Sequence, residues 1–307
     1  MMGRDRGSRG YPWKSRPVLG LPGQRLSPPR PVSKSRFLQG AIPMSKLLAV
    51  ACVAACTSVQ AASAGIIYQT DFSNFSLGGV NGQNGWSTYD PTFTTGGGTF
   101  ATIVNNAPAG GSASGNAMKF DSGTGASSSP RYAWSPSFGT QFAADAAAGN
   151  NVLVAQTSMY MAGGSTSTAR QGMVAFDSSG TKILTGFYVQ ANTGLVYLLA
   201  NYNNAGTINN FAFNTNVTIG FNQWVDFSMT WNQSTGRMEV FWGANGFYVD
   251  GAAAGSVADE VDYYNTRNGS TVASTVYFDN LTIGTIPAPG ALALLGVAGL
   301  VGSRRRR

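Results

Sequence analysis

The chain predicts an all-β, two-sheet antiparallel sandwich preceded and followed by short targeting segments. Three observations predict it. A dozen short apolar runs of β-branched and aromatic residues recur over some 220 residues, separated by clusters of Gly, Asn, Ser and Pro. Hardly any stretch carries a helical period with caps. Most of the basic residues lie at the two ends and both cysteines near the N-terminus, which leaves a mildly acidic middle without a thiol.

The N-terminal end reads in two pieces. Residues 1–43 are rich in Arg, Pro, Ser and Gly and have no hydrophobic period, as in a disordered basic leader. Residues 44–64 form a secretory signal peptide: Lys46 gives the basic region, Leu47 to Ala55 the apolar one, and Ala62-Ser63-Ala64 the small-residue cleavage site. Met44 is then the natural start. Both cysteines, Cys52 and Cys56, fall inside this segment. Val53-Ala54-Ala55-Cys56 also fits a lipidation box, but cleavage after Ala64 leaves a mature chain without a thiol.

The sandwich domain is expected over 65–284. Its runs are Ile66–Phe72, Thr99–Val104, Ala117–Phe120, Val152–Met161, Gly172–Phe176, Lys182–Gln190, Leu195–Ala200, Val217–Ile219, Trp224–Trp231, Arg237–Trp242, Phe247–Val249 and Thr275–Ile283. Trp224–Trp231 and Arg237–Trp242 alternate with period two around a polar turn ending in Gly236, which marks a hairpin. The Ala-rich Phe142–Ala148 suits one or two helical turns.

The C-terminal segment, 285–307, has three parts. Pro287-Ala288-Pro289 breaks the chain, residues 290–303 are apolar, and Arg304, Arg305, Arg306 and Arg307 close it. The apolar part is shorter than the roughly 20 residues that span a bilayer comfortably, and the arginines stay on the cytoplasmic side. This describes a temporary transmembrane stop followed by processing, or a simple anchor.

Charge excludes one large class of partner. The whole chain carries +7, but ten basic residues lie in the first 46 and four in the tail. The remaining six Lys and Arg face twelve Asp and Glu, so the middle is near −6. An acidic domain does not wrap phosphate backbones, and no nucleic-acid partner is expected. The chain has no His, which removes Ser-His-Asp triads and His-ligated metals. No catalytic residue is assigned.

Two resemblances sharpen this. The tail resembles the PEP-CTERM sorting signal: a Pro-x-Pro motif, a short Leu/Ala/Gly helix and an arginine cluster. Ala288 stands where that family usually has Glu. The resemblance implies an exosortase-type processing enzyme as partner, besides signal peptidase. It also implies a place at the cell surface or in the exopolysaccharide matrix of a Gram-negative-type bacterium. The middle resembles the concanavalin A-like jelly roll of lectins, glucanases and laminin-G-like modules. The residues that carry this are Asp71-Phe72, Gly85-Trp86, the hairpin at 224–242 and the closing Phe278-Asp279-Asn280. It implies a jelly-roll sandwich with its first and last strands side by side.

Candidate ligand residues follow from chemistry. Trp86, Tyr89, Trp134 and Tyr248 offer ring faces on which sugars stack, or else core packing. Asn201-Tyr202-Asn203-Asn204 offers amides to hydroxyls, or turn chemistry. Asp259, Glu260 and Asp262 read as a solvated acidic loop, with Ca²⁺ as the alternative. Glu260-Val261-Asp262 begins the Glu-x-Asp-x-x-Glu strand of retaining β-glucanases, but Tyr263, Tyr264 and Asn265 follow where the second Glu belongs. The expected function is a non-catalytic, exported glycan-interacting protein. The alternatives are a glycan-active hydrolase and a purely structural surface protein.

Overall fold

The computed structural model describes residues 65–90, 100–109, 115–123, 130–204 and 207–288. The leader, the signal peptide with Ala62 and Ala64, and the tail from Pro289 through Arg307 lie outside them. So does the proposed transmembrane segment 290–303. Among the described residues no helix is long and apolar enough to cross a membrane.

Two antiparallel sheets face each other. Sheet A holds β1 (Gly65–Thr70), β2 (Gly78–Gly79), β4 (Ala101–Val104), β5 (Ala117–Asp121), β7 (Val152–Met161), β12 (Trp224–Asn232), β13 (Met238–Trp242), β14 (Asn245–Val249) and β16 (Thr275–Ile286). Its order is β14-β13-β12-β7-β16-β5-β4-β2, with β1 also on β16. Sheet B holds β3 (Ser87–Tyr89), β6 (Arg131–Trp134), β8 (Arg170–Asp177), β9 (Ile183–Gln190), β10 (Leu195–Asn204), β11 (Thr207–Thr218) and β15 (Ala258–Thr266). Its order is β11-β10-β9-β8-β15-β6-β3. This is the expected all-β jelly-roll sandwich. The hairpin forms between β12 and β13, and the first strand pairs with the last, Gly65 opposite Thr285. The single helix among the described residues, α1 (Gly139–Ala147), covers the Ala-rich stretch.

The sequence pattern explains why these strands stack as they do. Inward residues of both sheets form one core, and large rings cross between the layers. Phe187 of β9 stacks on Phe227 of β12 at 4.0 Å, and Tyr263 of β15 on Phe278 of β16 at 4.1 Å. The Tyr263 hydroxyl pairs with Thr157 Oγ1 at 2.8 Å, so its polar end is satisfied inside the core. Period two then does the rest: burying Tyr263 and Val261 turns Glu260, Asp262 and Tyr264 to the other face of sheet B.

One expectation is corrected, and two features of the strands had no counterpart in the sequence reading. The acidic stretch 259–262 is no solvated loop. It belongs to β15, a strand paired on both sides, with β6 and β8. Its carboxylates hid it, because charge on a doubly paired strand breaks the usual apolar pattern. Strands β3 and β6 and most of β11 carried no recognisable run; they are short, or polar on one face. Finally, Asp279-Asn280 does not end the closing strand. It lies within β16, where Asn280 takes a φ of +52° and the register against β7 shifts. There the partner on the other edge changes from β5 to β1.

Candidate functional site: the outer face of sheet B

Cross-strand register brings chemistry together on the face of sheet B that points away from sheet A. One row runs across six strands. Tyr89 stands opposite Tyr132, Tyr132 opposite Tyr264, Tyr264 opposite Gly172, Gly172 opposite Tyr188, and Tyr188 opposite Tyr197. The row is therefore five tyrosines interrupted by one glycine. Tyr188 and Tyr197 stack at 4.6 Å, and Tyr132 and Tyr264 lie 6.0 Å apart. Tyr188 and Tyr264 approach to 6.3 Å across the gap that Gly172 leaves. A Cβ at Gly172 would sit 2.0 Å from the Phe187 carbonyl oxygen, so no larger residue fits there. Tyr89, Tyr197 and Tyr264 are half-buried; Tyr132 and Tyr188 are buried between them.

Each side of the row carries different polar groups. On one side the next register row is Trp134, Asp262, Val174 and Gly186. Beyond it, Glu260 pairs with Phe176. Asp262 is 1% exposed and its Oδ1 has no hydrogen-bond partner. Burial, and then the neighbouring Glu260 carboxylate, push its carboxyl well above the usual carboxylate range. On the other side Arg170 pairs with Gln190 and Thr266. Its guanidinium lies 5.0 Å from the centroid of the Tyr188 ring. Burial pushes the Tyr188 hydroxyl up to about 12, with Arg170 acting in the opposite direction.

Neighbouring contacts hold this face in place. Asp90 follows Tyr89 and forms a buried ion pair with Arg131 at 2.8 Å, which ties the end of β3 to β6. A small apolar cluster of Tyr132, Val174, Phe176 and Ile183 lies between the polar groups, with Tyr89, Trp134, Leu199 and Tyr264 packed against it.

The candidates read from sequence divide accordingly. Tyr89 and Trp134 lie on this face, Trp134 beside Asp262 and Tyr89 at the end of the row. Trp86 does not. It is 0% exposed, its Nε1 donates to the Tyr68 hydroxyl at 2.8 Å, and it stacks on Tyr263 at 5.7 Å. A ring closed on both faces cannot hold a sugar, so the ligand reading of Trp86 is withdrawn. Tyr248 is 58% exposed but belongs to β14, at the edge of sheet A, under the Arg237 guanidinium at 3.9 Å.

The Ca²⁺ alternative does not fit the residues. Asp259, next to a bulge in β15, aims its carboxylate at the start of α1 and accepts from the Gly139 N–H at 2.9 Å and from the Ser137 hydroxyl. It serves there as the helix's N-terminal anion. Glu260 and Asp262 belong to the outer face. No group of three metal-binding side chains forms among the described residues.

Sequence reasoning missed Tyr132, Tyr188, Tyr197, Tyr264 and Arg170. No local signal could have found them as a set, because their meeting depends on pairing between strands far apart in sequence, Tyr132 with Tyr264 above all.

The chain matches no protein-family model and no curated protein sequence. Among solved structures it resembles a cellulose-induced protein, Cip1, at 13% identity and a TM-score of 0.47, over 72% of this chain and 98% of that one. It also resembles an endo-β-1,4-glucuronan lyase from Trichoderma reesei at 11% identity and a TM-score of 0.42, over 72% and 95%. A polysaccharide lyase family-7 alginate lyase matches at 12% and 0.42, over 62% and 86%. Likeness at this level assigns no activity. The site stands on its own geometry.

Proposed function

We propose that this chain is an exported, non-catalytic glycan-binding protein whose ligand lies along the tyrosine row of sheet B. The observation that carries the proposal is that row: buried and half-buried rings aligned across the sheet, flanked by Trp134 and by charged groups on both sides. The half-buried rings of Tyr89, Tyr197, Tyr264 and Trp134 take the C–H faces of sugars, and the half-buried Arg170 supplies donors for hydroxyls. Export rests on the signal peptide at 44–64, and sorting to the cell surface or matrix on the PEP-CTERM-like tail. Signal peptidase and an exosortase-type enzyme are the processing partners, with the tail anchoring the chain only until it is cut.

A glycan array probed with the full chain tests this. Selective binding is expected, and Trp134→Ala or Tyr264→Ala should weaken it at least tenfold without lowering the melting temperature in proportion. Absence of binding to every glycan, the producer's own exopolysaccharide included, would leave a purely structural surface protein.

One observation favours a second reading, a glycan-active hydrolase. Glu260 and Asp262 stand two residues apart on one face, roughly 6.5 Å along the strand, within the range of paired catalytic carboxyls. Release of reducing ends from a bound glycan, lost in Glu260→Gln, would establish that reading.

A further inference from the structure

The tyrosine row separates a cation from two acids, and the cation is singular. Every other Lys and Arg of the sandwich has an oxygen partner among the described residues. Lys119 pairs with Asp121, Arg131 with Asp90, Lys182 with Asp177, and Arg237 with Glu239 and Asp250. Arg267 donates to the Ser122 carbonyl at 3.1 Å. Arg170 makes no side-chain hydrogen bond or ion pair among the described residues, although it is half-buried and its Nε is sequestered from solvent without a partner. It lies over the face of Tyr188 instead.

The two acids do not compensate it. Arg170 is in register with Thr266, and Asp262 lies four residues back along the same strand. That is about 13 Å at the rise of an extended strand. The face is therefore polarised: guanidinium on one side, carboxyl groups on the other, rings between.

We infer that the glycan bound here carries carboxylate groups, as uronate sugars do, and that Arg170 receives a carboxylate through its planar fork while the sugar ring lies on the tyrosines. This deepens the glycan-binding reading and rests on it. A carboxylate meeting a guanidinium gains charge-assisted, two-pronged hydrogen bonds. A neutral glycan laid over the same face would strip water from Arg170 and offer no counter-charge, so the site selects against it. The acids on the far side do not oppose this. Asp262, 1% exposed, keeps its proton to higher pH than an exposed carboxyl does and so adds no full repelling charge beneath the face.

The test uses the full-length chain and polygalacturonate, polyglucuronate and polymannuronate, each paired with its carboxyl-reduced, neutral counterpart. Affinity electrophoresis or calorimetry reads binding. At least one polyuronate should bind at least tenfold more tightly than its reduced form. Arg170→Gln should abolish that preference, Arg170→Lys should keep part of it, and Trp134→Ala should weaken charged and neutral polymers alike. Melting curves establish that each variant is folded; where Arg170→Gln is not, Arg170→Lys carries the comparison, and an unchanged preference there overturns the assignment. Equal binding of charged and reduced polymers, or a preference that survives Arg170→Gln, overturns the carboxylate inference and leaves glycan binding standing. Binding to none of these polymers and to nothing on the array overturns both.

Discussion

At the scale of single residues, Trp86 and Trp134 have nearly opposite surroundings and opposite predicted effects. Both offer a large ring beside Ser and Tyr in the sequence, and both read there as ring platforms. Trp86 is sealed between Phe72, Phe75 and Tyr263, whereas Trp134 stands half-buried beside Asp262. Trp86→Ala should therefore cost about 3–5 kcal/mol of stability, measured by denaturant unfolding. Trp134→Ala should cost much less and act on binding. Asp262 gives a second residue-scale prediction. Its folded-state carboxyl holds the proton more tightly than in the unfolded chain. Between the unfolded value near 4 and the raised folded value, the folded state binds more protons, so stability falls as pH rises through that window. The loss is absent below the unfolded value and complete above the folded one. Asp262→Asn removes the titration, so its stability relative to the wild type should improve progressively from about pH 4 upward in thermal melts. The charged side chains on the same face are Glu260 on the same strand and Arg170 on β8.

At the scale of elements, legibility tracked the apolar character of each strand rather than its burial. Strands such as β7 and β12 announce themselves through alternating or continuous apolar runs. Strand β15 was not legible. It alternates core residues Val261 and Tyr263 with Glu260, Asp262 and Tyr264, and two carboxylates in a row of five read as solvated. What fixes it as a strand is pairing with β6 and β8, which no local pattern displays. The site inherited that blindness, because β15 supplies its centre. Gly172 tests the element directly. Gly172→Ala places a methyl against the Phe187 carbonyl of the neighbouring strand, so β8 and β9 must separate. The variant should lose about 1–3 kcal/mol and, with Tyr188 and Tyr264 displaced, its glycan binding as well. Retained binding at full strength would show that the row is not the platform.

At the scale of the whole molecule, the charge of the chain is unequally spread, and under the proposed export it serves as an address rather than an affinity. The basic residues cluster in segments read as leader, signal and tail; the sandwich itself is acidic. The expected mature protein starts at Gly65, and mass spectrometry of material recovered from the producing cells should find that N-terminus together with loss of Arg304–Arg307. A mature form retaining the arginines would make the tail a lasting anchor.

The last strand has one more consequence. Strand β16 runs to Ile286, still paired with Val152, and Pro287 follows at once. Drag on a tethered molecule would pull along the axis of β16, which is gripped by β7 on one edge and by β1 and β5 on the other. Those bonds would be loaded in shear and would have to fail together. Peeling would instead start from Gly65, whose partner Thr285 lies at the same end of the sheet. A pull applied at Ile286 would thus meet the bonds of the whole strand at once.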